Sequence, residues 1–536
     1  MLVTLKKNFP LHPFLLAIYP VLTLWSTNSR DVTADQVLRS LLLVLVTTFC
    51  IIIILGLILR DWSKAGLITS ILLIVFFSYG HLYKVLRDNG LSPLVVRHRI
   101  LIPLILLAIC ALIVYIWKSR KDLGALTMFF NIAGAVLVVI LLAQLIGYEL
   151  RASTREEKST TESVVSQQSN SASVTSGPDI YYIILDGYGR EDVLKELYGY
   201  DNSEFIKELK ERGFYVADDS YANYMQTVLS LSSSLNMKYL DTLQAENGGK
   251  SPSFENFLNW MSSSTVRDFL SRQGYKTVAF SSSYAEIREA DIFLKAPYRQ
   301  DSNAPLVLPI NEFEGLLLKS TMLRAWLDLR GKSNKLQDTF LEAPYIAQRN
   351  RILFTLTELK NIPVIPEKKF VFAHVIAPHP PFVFGPNGEA VQHTLPYELS
   401  DGSAFDGTPE EYISSYRNQT QYINKLVLQA IDGILANSAK PPVIIIQGDH
   451  GPGAYLQWSS VDGSNTSERM AILNAYYFPD GDYGELYPSI SPVNSFRVVL
   501  NKYFGVKMDL LPDHHFFSTY SDPAHYINVD DRLHNP

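Results

Sequence analysis

Pro442-Val-Ile-Ile-Ile-Gln-Gly-Asp-His-Gly-Pro452 is the stretch from which the fold can be read. Val443–Ile446 is a run of β-branched residues too short to cross a membrane, and it reads as a strand buried on both faces of a parallel sheet. Gly448 ends the strand, and the Gly-Pro after His450 forces a tight loop. Asp449 and His450 therefore stand just past a strand's carboxyl end, where open α/β sheets bind their ligands.

Two further strands end in the same way. Ile180–Leu185 is an apolar run closed by Asp186-Gly187. The strand Phe370–Ile376 runs into His374-Val-Ile-Ala-Pro-His-Pro-Pro-Phe382, which puts His379 in a proline-bounded loop. Around these strands, helical patterns alternate with extended ones. Ser203–Glu211 closes at Gly213 and is followed by an extended Phe214–Ala217, read as the start of a βαβ unit. Thr265–Ser271 precedes the strand Thr277–Phe280, and Pro409–Ala436 delivers the chain to Val443. The expectation is an α/β domain with a largely parallel sheet.

The first 150 of the 536 residues have a different character. Leu41–Leu59, Gly66–Tyr83, Ile100–Trp117 and Ala125–Tyr148 are each long enough to span a hydrocarbon core of about 30 Å. Pro10–Trp25, interrupted by Pro13 and Pro20, is a fifth candidate whose alternative is an interfacial segment. Arg151–Gly177 is rich in Ser, Thr, Gln and Glu and reads as a flexible tether. The expected organisation is a membrane part of about five helices over 1–150, a linker over 151–177 and the α/β domain over 178–536.

The net charge of −6 and the lack of a basic cluster interleaved with aromatics in the soluble part argue against nucleic acid as a partner. The only cysteines, Cys50 and Cys110, lie in apolar runs, which excludes a disulfide scaffold and a thiolate metal site in the domain. The charge rule does not fix orientation. With five spans and a cytoplasmic N-terminus, seven basic residues fall inside and nine outside, chiefly through Lys84, Arg87, Arg97 and Arg99 in one loop. That loop is separated from the domain by two spans, so it faces the domain's side and is a candidate for anionic headgroups.

Asp186, Asp449 and His450 offer oxygen and imidazole ligands to a hard or borderline cation and leave room for a nucleophile. The candidate nucleophile lies in Asn223-Tyr-Met-Gln-Thr-Val-Leu-Ser-Leu-Ser-Ser-Ser-Leu-Asn-Met237. Thr227 stands where an irregular stretch turns into an apolar-periodic helix. Ser230, Ser232, Ser233 and Ser234 fall inside that helix, and by residue pattern alone the choice between them and Thr227 stays open. His374, His393, His514 and His515 are available for a second metal but read more simply as core or loop histidines. Arg349 and Arg351 read as a phosphate clamp or as an exposed helix face. Phe313–Leu329 reads as core packing or as a membrane-associated segment.

Together these residues resemble the alkaline phosphatase superfamily. Within it they are most similar to the membrane-anchored sulfatase-like branch that includes lipoteichoic acid synthases and phosphoethanolamine transferases. The resemblance runs from about Pro178 to Phe517 and extends to the layout of spans followed by a domain. It implies one catalytic divalent metal, manganese, magnesium or zinc, held by Asp186, Thr227, Asp449 and His450. It implies Thr227 as nucleophile and His379 as the substrate-binding histidine. The first ligand is often Glu in membrane-bound members, so Asp186 is a departure. Thr227-Val-Leu-Ser-Leu231 lacks the Cys/Ser-x-Pro-x-Arg pattern of true sulfatases. The implied activity is transfer of a phospho-group from a membrane lipid donor to an envelope glycan or lipid acceptor through a phospho-threonine, with the domain outside the cytoplasm. The alternatives are a phosphoester or sulfate ester hydrolase and a non-catalytic envelope scaffold or sensor.

Overall fold

The computed structural model describes residues 9–27, 34–88, 97–165, 177–297, 312–328, 335–393 and 397–533. The chain forms two compact units. One comprises 1–171 with 304–344 and 394–396, and the other comprises 172–303, 345–393 and 397–536.

Five helices open the first unit: α1 (His12–Thr27), α2 (Ala34–Leu59), α3 (Trp62–Asp88), α4 (His98–Lys118) and α5 (Gly124–Val165). Stretches of α2, α3, α4 and α5 are long and apolar enough to cross a membrane. α1 has 16 residues, about 24 Å at 1.5 Å per residue, against the roughly 30 Å of a hydrocarbon core. Its Ala17 and Val21 pack on Val37, Leu73 and Phe77, and its Leu22 packs on Val138, Leu141 and Leu145. Many leucines of α2 and α4 are instead exposed, Leu57 and Leu107 among them, as on helices that face lipid. Of the tether Arg151–Gly177, residues 151–165 continue α5, whereas 166–176 lie outside the described residues.

The stretch Phe313–Leu329, as far as it is described, belongs to this helical unit. Phe313 and Leu317, on the helix Glu312–Ser320, are buried among Ala17, Val21, Val37, Leu73 and Phe77. Glu314 takes a two-pronged ion pair from Arg39. The amide of Met322 donates to the Phe76 carbonyl at 2.8 Å, and Ala325 is buried with Tyr79 and Leu101. The segment therefore packs, and what it packs on are helices long and apolar enough to cross a membrane.

In the second unit, seven strands form one sheet in the order β2-β7-β6-β1-β5-β3-β4. They are β1 (Ile180–Leu185), β2 (Tyr215–Val216), β3 (Lys276–Phe280), β4 (Ile292–Leu294), β5 (Lys369–Val375), β6 (Val443–Gln447) and β7 (Asn474–Tyr477). β1 pairs in parallel with both β5 and β6, and β3 pairs in parallel with β5 and β4. Every residue of β1, β5 and β6 is buried, which explains their unbroken apolar reading. Tyr181, Ile183 and Leu185 pack under α6 (Glu191–Tyr198), α7 (Ser203–Glu211) and the helix Pro409–Asn437. Ile180, Tyr182 and Ile184 pack under α8 (Thr227–Asn236) and the helix Pro492–Phe504. This alternation is the period-two geometry of a strand.

The expected βαβ opening does not form. β2 has two residues, sits at the sheet's edge and pairs antiparallel with β7 rather than parallel with β1. The Ala217 amide donates to Asn474, so the strand's partner arrives more than 250 residues later, beyond the reach of a local pattern.

Candidate active site

Register brings the three strand ends together. Ile184 pairs with His374 on one side and with Gln447 on the other, so the residues that follow each strand emerge side by side. The Asp186 carbonyl accepts from the His379 amide at 2.9 Å. Gly187, at a φ of +72° that only glycine adopts freely, donates its amide to Asp449 Oδ1 at 3.0 Å. Gly451 is needed for a different reason: a Cβ there would overlap the Glu468 carbonyl.

Asp186, Asp449 and His450 are buried, and each offers a ligand atom within 4.8 Å of the others. Asp186 Oδ1 and Asp449 Oδ2 are buried without a hydrogen-bond partner. Buried carboxylate oxygens are costly unless paired or bound to a cation. His450 Nδ1 donates to the Gly451 carbonyl at 2.8 Å, which fixes the tautomer and leaves the Nε2 lone pair facing inward. That Nε2 lies 3.5 Å from Asp186 Oδ1, 3.4 Å from Asp449 Oδ2 and 3.2 Å from Thr227 Oγ1. Burial, then the Arg469 guanidinium, lowers the His450 pKa and keeps that lone pair available. Two carboxylates, one imidazole and a hydroxyl fit a single divalent cation.

Thr227 is the first residue of α8, where backbone N–H groups and the helix dipole favour negative charge. The serines behind it are engaged in packing. Ser232 Oγ donates to the Phe257 carbonyl and Ser233 Oγ to that of Lys238, while Ser234 Oγ accepts from Tyr182. Of the hydroxyls left open by the sequence, Thr227 is the one hydrogen-bonded to His450.

His374 stands on the far side of Asp186, with Nε2 3.1 Å from Asp186 Oδ2 and Nδ1 2.9 Å from the Tyr284 carbonyl. Both partners are acceptors, so the ring serves them best as an imidazolium. Burial opposes that charge, yet the bond to Asp186 raises the His374 pKa overall. Burial likewise pushes Asp186 up, but His379, His374 and His450 together hold it well below the usual carboxylate range. His374 thus holds the first acidic residue in place through its bond to Oδ2.

His379 faces the cluster with its ring 6.0 Å from that of His450, centroid to centroid. Its Nδ1 donates to the Pro380 carbonyl at 2.5 Å, and Gln419 Nε2 anchors the loop through the carbonyls of Pro378 and His379. Two groups with no local sequence signal complete the surroundings. Asp401 Oδ2 lies 3.6 Å from His379 Nε2 and 2.5 Å from Arg469 Nη1. Burial pushes Asp401 up, while Arg469, then His379 and His450, bring its pKa down to about 2. Arg469, 2% exposed, also donates to the carbonyls of Met225 and Gly451.

The remaining candidates have other roles. Arg349 donates to the carbonyls of Val383 and Gly388, and Arg351 donates to Gln348. His393 stacks on Tyr345 at 3.4 Å, His514 pairs with Asp530, and His515 bonds the Ala222 carbonyl.

Among curated proteins, none is similar to this sequence at a significant level. The solved structures similar to it include the zinc complex of the C-terminal periplasmic domain of EptC from Escherichia coli. Identity there is 13% over 68% of this chain and 97% of that one, with a TM-score of 0.39. The integral membrane lipooligosaccharide phosphoethanolamine transferase EptA from Neisseria meningitidis is 12% identical over 92% of this chain and 96% of its own, with a TM-score of 0.35. The 2-O GAG sulfatase BT1596 is 15% identical over 64% and 73%, with a TM-score of 0.35. The family model described as Sulfatase matches residues 178–494, more than half of the chain. With that match spanning the strands that carry Asp186, His379, Asp449 and His450, the chain belongs to the sulfatase family and is an enzyme of the alkaline phosphatase superfamily.

Proposed function

We propose that the protein is a membrane-anchored, metal-dependent phosphotransferase. It moves a phospho-group from a lipid donor to an envelope glycan or lipid acceptor through a phospho-threonine at Thr227. In this reading residues 1–150 anchor, 151–177 tether and 178–536 catalyse, with the catalytic part extracytoplasmic. The observation that carries it is the Thr227 hydroxyl 3.2 Å from His450 Nε2, beside two buried carboxylate oxygens that lack a partner.

Asp186, Asp449, His450 and Thr227 would hold the cation. Once bound, it supplies a lowered pKa for the coordinated hydroxyl and positive charge beside the phosphoryl group. Thr227, having released its proton to solvent, attacks phosphorus in line as the bond to the lipid alcohol breaks, and the leaving oxygen takes a proton from His379. An acceptor hydroxyl then attacks the phospho-threonine and returns a proton to His379, and the freed Thr227 recovers its own. Two inversions give net retention at phosphorus.

A lipid donor suits a catalytic domain tethered beside a bilayer, where the local concentration of embedded substrate is high. Phosphoryl chemistry is preferred to sulfate ester hydrolysis because position 227 is a threonine without the Pro and Arg of the true sulfatase pattern. The test is incubation of the full-length protein with labelled membrane lipids, followed by peptide mapping. Label on Thr227 is expected; label confined to a serine, or none in metal-replete protein that turns over, refutes the intermediate.

A further inference from the structure

Arg469 is committed on three of its four faces. Nε donates to the Met225 carbonyl at 2.9 Å, and Nη1 bridges Asp401 Oδ2 and the Gly451 carbonyl. The guanidinium lies over the Trp458 ring, 5.4 Å from its centroid. Only Nη2 points toward the reaction centre, where it is 3.3 Å from His450 Nε2. That nitrogen is the atom around which Thr227, Asp186 and Asp449 converge.

The contact holds only while the His450 lone pair is free. When His450 serves as a ligand, Nε2 no longer accepts a hydrogen bond. Arg469 Nη2 is then left buried beside a divalent cation, with a donor lacking an acceptor and two like charges close together. An anion placed between them removes both penalties. A phosphoryl group has the charge and the oxygen geometry to bind a guanidinium on one side and a cation on the other. Arg469 cannot swing away, because its three other faces are fixed, and His379 is tied to the same Asp401 oxygen.

We propose that Arg469 is a catalytic residue whose Nη2 binds a non-bridging oxygen of the phosphoryl group under attack by Thr227, with Asp401 positioning it. This rests on the phosphoryl-transfer reading of the site and extends it to a residue outside the ligand set. The Asp401 carboxylate holds one Nη1 proton, and the substrate oxygen takes the place of His450 Nε2 as acceptor for Nη2.

The test measures binding of inorganic phosphate to the zinc-loaded full-length protein in detergent by calorimetry, with zinc per chain measured in parallel. Arg469→Lys keeps the charge and loses the fork. The expected result is phosphate affinity at least tenfold weaker in the variant, with zinc content equal to wild type. Equal phosphate affinity in both proteins overturns the proposal. So does joint loss of zinc and phosphate, which would make Arg469 a support of the cation site. If zinc-loaded wild type binds no phosphate, the phosphoryl-transfer reading itself fails and the proposal with it. Should Arg469→Lys not fold, a structure of zinc-loaded wild type with tungstate decides. A tungstate oxygen within hydrogen-bond distance of Arg469 Nη2 supports the proposal, and an anion with every oxygen beyond that reach overturns it.

Discussion

Thr227 Oγ1 lies 3.2 Å from His450 Nε2 across 223 residues of sequence, on the first residue of a buried helix. Thr227→Ala removes the hydroxyl and leaves the helix. Turnover of labelled lipid is expected to fall at least a thousandfold, while the loss of so small a group costs about 1 kcal/mol and the melting temperature moves by only a few degrees. Thr227→Ser keeps the nucleophile and is expected to retain measurable activity. An alanine variant with near wild-type turnover removes Thr227 from the mechanism.

Asp186 Oδ1 and Asp449 Oδ2 are buried without a hydrogen-bond partner, and the two residues each offer a ligand atom within 4.8 Å of the other. Binding a cation relieves their repulsion, so metal and stability are linked. Chelation is expected to abolish turnover and lower the melting temperature by several degrees, with both restored by adding metal back. Asp449→Asn is expected to hold no stoichiometric metal by elemental analysis, and its melting should be indifferent to chelator. A chelator-sensitive Asp449→Asn would place the cation elsewhere.

Much of the site was legible because strand ends announce themselves. Asp186, His379, Asp449 and His450 each follow a short apolar run, and parallel pairing of β1 with β5 and β6 necessarily brings those ends together. Thr227 was legible only as one of several hydroxyls, since its distinction is its helix N-terminus and the His450 contact. Asp401 and Arg469 were not legible. They sit in Ser400–Gly402 and Ser467–Met470, segments with no periodicity, and meet only because the fold brings together positions 68 apart in sequence. The misread β2 has the same origin, for its partner β7 is remote in sequence. The destination of Phe313–Leu329 was equally hidden, because an apolar helix does not reveal which apolar surface it covers.

His374 and His393 separate orientation of the site from plain packing. His374 donates to Asp186 Oδ2, whereas His393 stacks on Tyr345 and bonds the Phe382 carbonyl. Loss of a group that orients a metal ligand costs about 10–100-fold in metal affinity. His374→Ala is therefore expected to weaken metal binding by that factor, and His393→Ala to change stability with metal affinity within twofold. Equal metal affinities in the two variants would show that His374 has no hold on the site.

Glu468 is the buried acid whose titration falls near neutral pH. Burial pushes its pKa from 4.5 to about 7, against bonds from Tyr198 and the Tyr455 amide. Below pH 4.5 both folded and unfolded chains hold the proton. Between 4.5 and about 7 only the folded chain does, so the contribution to stability falls as pH rises through that window and is flat above it. The difference amounts to at most about 3 kcal/mol. Glu468→Gln is expected to melt with wild type at pH 4.5 and above it at pH 8. Parallel melting curves across that range refute the assignment.

The orientation of the membrane part can be tested through contacts internal to it. The segment containing Leu323, Arg324 and Ala325 packs at the end of α3 and the start of α4: Arg324 lies 5.0 Å from the Tyr83 ring centroid, and Ala325 is buried with Tyr79 and Leu101. Arg97 precedes α4 and Lys121 follows it, and α4 itself is long and apolar enough to cross a membrane. Positions 97 and 323 therefore belong to one side and position 121 to the other. With Cys50 and Cys110 replaced, single cysteines at Arg97, Leu323 and Lys121 can be probed with an impermeant maleimide on spheroplasts. For an extracytoplasmic catalytic part, the first two are expected to label in intact spheroplasts and the third only after permeabilisation. Labelling of position 121 alone reverses the orientation. If 97 and 323 label from opposite sides, the packing of Glu312–Asp328 on these helices does not exist in the membrane.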